Sequence, residues 1–174
     1  MKGRHDAKIV QALATRICEA LEDKRKIKTE ICGSLRRGLS VVGDIDIVHN
    51  GVSIEIRDAI DKLFEGKVEI HSAGLKSMSF TVEGIQVDLY KSEESYWGAT
   101  VLTRTGSMLF NILMRGRAKK LGYKLNEYGL WHNDINIASV TEDAIFMALG
   151  LQYVSPQDRN PSSHGGPKVL KELD

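Results

Sequence analysis

Apolar residues recur at helical spacing near the start of the chain. Between residues 6 and 23 they fall on one side of a helix of 3.6 residues per turn. These positions are Ile9, Val10, Leu13, Ile17, Ala20 and Leu21. Asp6, directly before this run, is a residue type that caps helix N-termini. The pattern predicts an amphipathic helix over residues 6–23.

Shorter stretches of the first ninety residues have the alternation and turn residues of β-strands. The predicted strands are IKTEICG (27–33), GDIDIV (43–48), KVEIHS (67–72), KSMSFTV (76–82) and IQVDLY (85–90). We expect a turn at Glu83–Gly84, a helix over residues 53–64 capped by Ser53, and a helical turn at residues 35–37, capped by Ser34 and ended by Gly38. Helices packed beside such strands indicate an α+β sheet domain.

The pattern changes after Lys91, where helical segments predominate. SYWGATVLT (95–103) and GSMLFNILMRGRAKKLG (106–122) predict two helices with a break near Thr105–Gly106. A hairpin of YKLN (123–126) and GLWHN (129–133) and a helix capped by Thr141 should follow. We therefore expect two lobes, residues 1–92 and 93–160, and a mobile tail over residues 161–174, which begins with Pro, Ser and Gly.

The composition indicates an intracellular, soluble protein. Of 174 residues, 42% are hydrophobic and 27% charged, and no stretch approaches the roughly 18 apolar residues needed to cross a bilayer. Cys18 and Cys32 lie in apolar surroundings without C-x-x-C spacing, which predicts buried free thiols. The five histidines are scattered, so no His/Cys metal site is expected.

The charges are segregated in the second half of the chain. Residues 101–124 include six basic residues and no acidic one, whereas residues 125–160 include five acidic residues and one basic one. The basic residues of the first segment are Arg104, Arg115, Arg117, Lys119, Lys120 and Lys124. This arrangement indicates a basic surface for a polyanion, and the alternative is a solvated helix face.

Asp44 and Asp46 alternate with isoleucines in GDIDIV. Residues two apart on a strand point to the same side, with backbones roughly 6 to 7 Å apart, so the two carboxylates can converge. Converging carboxylates repel one another unless positive charge lies between them, and hard oxygen ligands suit Mg²⁺. Asp-x-Asp alone is a weak signal, because surface strands often contain it.

The stretch GSLRRG (33–38), ten residues upstream, contains residue types that bind phosphate. Gly33 would let a phosphate approach backbone N–H groups, Ser34 adds a hydroxyl donor, and Arg36 or Arg37 can bind it through two hydrogen bonds. By itself the stretch could equally be a serine cap with two surface arginines. Together with Asp-x-Asp it predicts a nucleotide site in which metal ions bridge triphosphate and carboxylates.

Asp88 is the candidate for a third carboxylate. It shares one face of the strand IQVDLY with Gln86 and Tyr90, whereas the other face is apolar. An acid in an apolar strand needs a partner, which can be a metal ion or an arginine. A metal-bound carboxylate here could also help to deprotonate an attacking hydroxyl.

Five motifs, in this order along residues 30–160, resemble those of the family X DNA polymerases of the nucleotidyltransferase superfamily. They are GSLRRG, VGDIDIV, VDLY, TGSMLFNILMRGRAKKLGYKLNEYGLW and TEDAIFMALGLQYVSPQDR. The resemblance implies a nucleotidyltransferase-type palm with a mixed sheet over residues 1–92. It also implies a small α+β thumb over residues 93–160.

The resemblance also implies the site residues. Asp44, Asp46 and Asp88 would bind two catalytic Mg²⁺ ions, or Mn²⁺. The nucleotide contacts would come from Gly33, Ser34, Arg37, Gly43, Thr103, Arg104, Gly106 and Asn111. Arg115 would reach the template strand, and the basic run of Arg117, Lys119 and Lys120 would bind DNA.

The chain departs from the family pattern in ways that affect its expected activity. Many members have two aromatic residues before Thr-Gly-Ser, where this chain has Thr103 and Arg104, so preference for deoxyribose is open. About 30 residues precede Gly33, too few for the lyase and helix-hairpin-helix modules of larger relatives. We also expect no C-terminal phosphoesterase domain. We therefore expect no lyase activity, and the minimal palm-plus-thumb arrangement of some viral members.

These features predict a DNA-directed DNA polymerase. It would add one or a few nucleotides to a primer 3′-OH in gap filling or DNA repair, by two-metal nucleotidyl transfer. The expected partners are gapped or primer-template DNA and a nucleoside triphosphate, without a membrane, for a monomeric protein. Alternatives are a template-independent or RNA-directed nucleotidyltransferase and, in another class, a non-catalytic DNA-binding relative.

Overall fold

The computed structural model describes residues 3–23, 26–161 and 170–174. The chain divides into two compact units, Met1–Ser92 and Glu93–Asp174. Both units combine helices with antiparallel strands, and the larger sheet, in the first unit, also has a parallel pair. The predicted α+β class is confirmed.

The first unit is a mixed five-stranded sheet with helices. Its helices are α1 (Ala7–Glu22), α2 (Gly33–Arg36) and α3 (Ser53–Leu63). Its strands are β1 (His5–Asp6), β2 (Thr29–Ile31), β3 (Val41–Val42), β4 (Asp44–His49), β5 (Glu69–Ala73), β6 (Ser77–Val82) and β7 (Ile85–Lys91). The main sheet has the order β2-β4-β7-β6-β5, in which only β4 and β7 are parallel, and β1 pairs separately with β3.

Alternation along the central strands separates an apolar face from a polar face. Ile45 and Ile47 of β4 and Val87 and Leu89 of β7 are fully buried in one cluster with apolar residues of α1 and α3. Because successive strand residues point to opposite faces, the aspartates of β4 and β7 lie on the other face. The buried core therefore fixes the side of the sheet from which the carboxylates project.

Local capping agrees with the sequence at some positions and differs at others. Asp6 caps α1 as predicted, and its carboxylate accepts a hydrogen bond from the backbone N–H of Lys8 (2.7 Å). The Ser53 prediction is wrong: Val52 is the N-cap of α3 and the Ser53 hydroxyl instead donates to backbone carbonyls of the β5–β6 loop. Ser34 is likewise inside α2 rather than at its cap, because the helical turn begins two residues earlier than predicted, at Gly33, with Cys32 as its N-cap.

Two other local predictions are confirmed. Glu83 and Gly84 both have positive φ (52° and 76°), the backbone that a two-residue hairpin turn of matching twist requires. Cys18 and Cys32 are buried free thiols.

The second unit packs three helices with a three-stranded meander. Its helices are α4 (Trp97–Thr105), α5 (Met108–Lys120) and α6 (Glu142–Ala148), and its strands are β8 (Lys124–Asn126), β9 (Gly129–His132) and β10 (Ile135–Ala138). The break between α4 and α5 and the β8–β9 hairpin are confirmed. The strand β10 was not predicted from the sequence, because its four residues, INIA, are too few to establish an alternating pattern.

Arg159 is the centre of the packing in this unit. It is fully buried, and its Nη1 lies 2.6 Å from Glu142 Oε1 in α6. Its guanidinium also lies over the rings of Phe110 (5.3 Å to the centroid) and Phe146 (5.6 Å). The Ser107 hydroxyl donates to the Arg159 carbonyl (2.8 Å), so one buried arginine connects the start of α5 to α6.

The mobile tail predicted for residues 161–174 falls mostly on residues 162–169, which lie outside the described residues. After them, Leu170 packs against the core of the second unit and Glu172 pairs with Arg117 (2.6 Å). Within the described part of the chain, no helix is both long and apolar enough to span a bilayer.

Candidate active site

Three aspartates lie on the polar face of the main sheet at its parallel pair of strands. Asp46 of β4 is the direct register partner of Asp88 of β7, and Asp44 is the partner of Gln86. All four side chains are partly buried. Adjacent strands lie roughly 4.8 Å apart, so the parallel register brings carboxylates that are distant in sequence to neighbouring positions.

Gly33 lies directly against Asp46. Its φ of +60° belongs to the left-handed region, and a Cβ added here would stand 3.0 Å from Asp46 Cγ and far inside contact with Oδ2. The backbone N–H of Cys32 also donates to the Asp46 carbonyl (2.7 Å). Only glycine satisfies both the backbone conformation and the close approach, so the Gly-Ser turn is held beside the carboxylates.

The two arginines of GSLRRG have different surroundings. Arg36 pairs with Glu30 of β2 (Nε to Oε1, 3.3 Å). Burial lowers the pKa of the Arg37 guanidinium, whereas the charges of Asp46 and then Asp44 raise it. Arg37 is therefore the arginine that faces the carboxylates, and it keeps its charge at any ordinary pH.

Gln86 is a residue of this face that sequence analysis did not assign to the site. Its amide Nε2 donates to both oxygens of Asp88, at 3.2 Å to Oδ1 and 2.9 Å to Oδ2. The signal was present, because residues two apart on a strand share a face. Gln86 orients Asp88 by occupying lone pairs that a cation could otherwise use.

The donor set fits a hard divalent cation in its chemistry. Three carboxylates share one face of two neighbouring strands, and carboxylate oxygens are the ligands that Mg²⁺ prefers. The side chains are not gathered, however: among the described residues, no three His, Cys, Asp or Glu side chains stand close enough together to hold a metal ion. The ligand roles of Asp44, Asp46 and Asp88 therefore stay a prediction.

Gly43 precedes Asp44, between β3 and β4. A Cβ at this position would meet only the Gly3 carbonyl, at an ordinary 3.7 Å, so packing does not require glycine here. Its assignment to the nucleotide rests on the resemblance.

In the second unit, several of the predicted nucleotide-contacting residues lie near the α4–α5 break. Gly106 has a φ of +66°, and a cis peptide bond joins it to Ser107. The Asn111 side-chain amide donates to the Thr103 carbonyl (2.8 Å). Thr103 and Arg115 line a cleft of about 380 Å³ with residues of the β8–β9 hairpin. The structure therefore brings Thr103, Asn111 and Arg115 together on one side of this unit.

Arg104, one of the two residues that precede Thr-Gly-Ser, is held in an ion pair. Its guanidinium forms an ion pair with Glu127 in the β8–β9 turn, and both side chains are about one-third exposed. Glu127 was not assigned to the site from the sequence. Glu127 holds Arg104 against the hairpin, which gives this position a fixed polar group.

The basic residues predicted to bind DNA differ in their contacts, because one pairs within its own unit and the others are exposed. The Arg117 side chain donates to the Leu149 carbonyl (2.9 Å) and pairs with Glu172. Arg115, Lys119 and Lys120 are exposed. Helix periodicity explains the difference, because Arg117 follows buried Phe110 by seven residues and buried Met114 by three and so shares their face of the helix, whereas the others lie on the solvent side.

Aspartates on adjacent parallel strands, with a glycine-serine turn held against one of them, define a nucleotidyltransferase palm. Residues 3–123 match the family model described as DNA polymerase beta palm, and residues 100–160 match the one described as DNA polymerase beta thumb. The chain therefore belongs to the family X DNA polymerases. Members of this family depend on metal ions and act on DNA and nucleotides.

Three relatives show how far the similarity extends. The repair DNA polymerase X of African swine fever virus is 29% identical over 139 residues, 73% of this chain and 78% of its own. The DNA polymerase/3'-5' exonuclease PolX of Bacillus subtilis is 31% identical over 168 residues, 90% of this chain and 29% of its own. DNA polymerase IV of Saccharomyces cerevisiae is 35% identical over 75 residues, 43% of this chain but only 13% of its own.

Proposed function

We propose that this protein is a template-directed DNA polymerase that fills short gaps, adding one or a few nucleotides to a primer 3′-OH. The primer oxygen attacks the α-phosphorus of a nucleoside triphosphate, the new phosphodiester bond forms, and pyrophosphate leaves. The observation that supports this best is the register of β4 and β7, with Asp46 opposite Asp88 and Gly33 against Asp46.

The chain's own groups have distinct roles in this proposal. Asp44, Asp46 and Asp88 supply negative charge on one face, and Asp88 has the role of accepting the proton of the attacking hydroxyl. The Ser34 hydroxyl and Arg37 bind the leaving phosphates, for which a fixed guanidinium is well suited. Gln86 keeps Asp88 in one orientation before the substrate arrives.

We assign the metal ions to the same three aspartates and expect Mg²⁺, with Mn²⁺ as a substitute. Bound there, two ions would promote deprotonation of the attacking hydroxyl and neutralise charge on the leaving pyrophosphate. The chain must release Asp88 from the Gln86 amide, at least in part, for all three carboxylates to act as ligands.

The second unit supplies contacts to DNA and nucleotide in this proposal. Exposed Arg115, Lys119 and Lys120 bind phosphates of the template strand, while Gly106 and Asn111 approach the nucleotide. In this proposal Thr103 and Arg104 contact the sugar of the nucleotide and affect the choice between deoxyribose and ribose. Since Arg104 is held by Glu127, discrimination against ribose would rest on a polar group rather than on ring packing.

Primer extension on defined substrates tests the proposal. The substrates are a one-nucleotide gap, an open primer-template, a single strand and an RNA template, each offered with dNTPs and with NTPs. We expect templated incorporation of dNTPs, fastest in the gap. Equal incorporation on a single strand would instead support the template-independent transferase, and DNA binding without incorporation on any substrate would support the non-catalytic relative.

A further inference from the structure

The first unit contains a cavity on the face of the main sheet opposite to the aspartates. It is a cleft of about 800 Å³ at the carboxyl ends of β4 and β7, bounded by the start of α3 and the β5–β6 loop. This volume is within the range of small-molecule sites, roughly 300 to 1,000 Å³. The nucleotide reaction proposed above does not use it.

The wall of this cleft is apolar and partly open to solvent. The apolar lining residues are Val52, Ile54, Ile56, Ala73, Leu75 and Met78. Three of them are unusually exposed for their size, Leu75 at 82%, Ile54 at 66% and Val52 at 47%. The Ser53 hydroxyl lies 3.3 Å from both the Gly74 and Leu75 carbonyls, which joins the start of α3 to the loop. These hydrogen bonds hold the loop that carries Leu75 beside the start of α3.

Basic residues form a row along one end of the cleft. His49 of β4 is the register partner of Lys91 of β7, and the Lys91 N–H donates to the Lys76 carbonyl (2.8 Å), so the three residues are successive cross-strand neighbours. Arg57 also lines the cleft, and none of the described lining residues is acidic. Lys76 and Lys91 therefore place two like charges on neighbouring chain segments at one end of the cleft, where they would attract a bound anion.

His49 completes the row as a buried polar group. Its side chain is 4% exposed, and Nδ1 has no hydrogen-bond partner among the described residues. Burial, and secondarily the charge of Lys91, lower the pKa of His49 to about 4, and a hydrogen bond between the ring and the backbone of Gly51 opposes the shift. The ring is therefore neutral at pH 7, and it leaves an unsatisfied polar atom at the inner end of an apolar cleft, where such atoms are rare.

We propose that this cleft binds a small amphipathic anion, with the anionic head beside Lys76 and Lys91 and an aliphatic or aromatic body against Ile54, Leu75 and Met78. The head is attracted to the positive charges of the two lysines, and the body removes exposed apolar surface from water. An apolar wall alone would suit any apolar ligand, and lysines alone would suit any anion. Because the two lie side by side, the cleft is suited to a ligand that has both an anionic head and an apolar body.

Titration with decanoate, below its micelle-forming concentration, tests the proposal directly. The His49 ring nitrogen resonances of the intact protein report binding at this site, and calorimetry gives the stoichiometry. We expect saturable one-to-one binding of decanoate, about 10-fold or more weaker binding of decyltrimethylammonium, and none of acetate at the same concentrations. Equal affinity for the two ten-carbon ions, or no saturable change at His49, would overturn the proposal.

Variants locate the two halves of the site. Leu75→Glu places an anion on a side chain that is 82% exposed, so it should fold normally and weaken decanoate binding about 10-fold, whereas Ile9→Glu, at an apolar residue of α1 that is 66% exposed, should not. Lys76→Gln/Lys91→Gln should weaken binding about 10-fold, roughly 3-fold per lysine. Lys67→Gln is the matched control, since Lys67 is exposed and pairs with Glu65.

The outcome is independent of the polymerase proposal. Gap filling by the Leu75 and Lys76/Lys91 variants is measured alongside, and we expect wild-type rates because these residues lie on the other face of the sheet. Decanoate binding without any incorporation by the wild type would contradict the proposed function only. Incorporation without decanoate binding would contradict this inference only.

Discussion

Gly33 is the residue on which the position of Asp46 depends most directly. Gly33→Ala should cost about 1 kcal/mol for the left-handed backbone and should also push the Asp46 carboxylate aside. We expect nucleotide incorporation to fall by about 100-fold or more, because groups displaced by about an ångström lose much of their catalytic effect. Stopped-time primer extension gives the rate, and urea unfolding gives the stability.

Gly66→Ala is the matched control for Gly33→Ala. Gly66 has a similar φ of +72°, but a Cβ there would meet nothing within 4 Å. Both variants should lose similar stability, and only Gly33→Ala should lose incorporation. Equal rates in the two variants would show that the close approach to Asp46 does not matter for the reaction.

His49 makes stability depend on pH. Its pKa is about 4 in the folded protein and about 6.5 when unfolded, so the unfolded chain binds more protons between these values. The contribution of the neutral ring to the free energy of unfolding is therefore fully present above about pH 6.5. It decreases by about 3 kcal/mol as the pH falls towards 4. We expect His49→Asn to flatten the unfolding free energy against pH in this window. His71→Asn, at an exposed histidine of β5, is the control, and an unchanged slope in His49→Asn would contradict the assignment.

At the scale of elements, the second unit relies on the buried pair of Arg159 and Glu142. Glu142→Ala leaves a fully buried guanidinium without its carboxylate, which should cost about 3 to 5 kcal/mol. Arg57→Met breaks an exposed pair with Asp61 on α3 and should cost less than about 0.5 kcal/mol. Urea unfolding followed by far-ultraviolet circular dichroism measures both, and a Glu142→Ala cost as small as that of Arg57→Met would show the pair to be dispensable.

The elements also show what the sequence could and could not predict. The shared face of Asp44 and Asp46 follows from strand alternation, which is local. The pairing of Asp46 with Asp88 could only be inferred from the family resemblance, because register between strands 40 residues apart depends on packing of the whole sheet. The caps at Ser34 and Ser53 were wrong for a related reason: a serine near a helix start has several hydrogen-bonding options, and tertiary contacts selected carbonyls for Ser53.

At the scale of the whole molecule, a net charge of +1 limits affinity for DNA. We expect binding to gapped DNA to weaken steeply with salt, because phosphate neutralisation supplies most of the affinity. Lys119→Gln/Lys120→Gln should reduce the slope of log affinity against log salt by about 2, whereas Lys62→Gln/Lys67→Gln in the first unit should not change it. Fluorescence anisotropy across a salt series gives both slopes. Identical slopes for the two double variants would contradict the assignment of Lys119 and Lys120 to the DNA-binding surface.

The central claim is that Asp44, Asp46 and Asp88 form one catalytic face. Single-turnover incorporation of a dNTP into a one-nucleotide gap, with Mg²⁺, tests it by comparing Asp46→Asn and Asp88→Asn with Asp58→Asn, an exposed acid on α3. We expect a loss of about 1,000-fold or more for the first two at unchanged stability and DNA affinity, and a wild-type rate for the third. Incorporation within about 10-fold of wild type by Asp46→Asn or Asp88→Asn would contradict it.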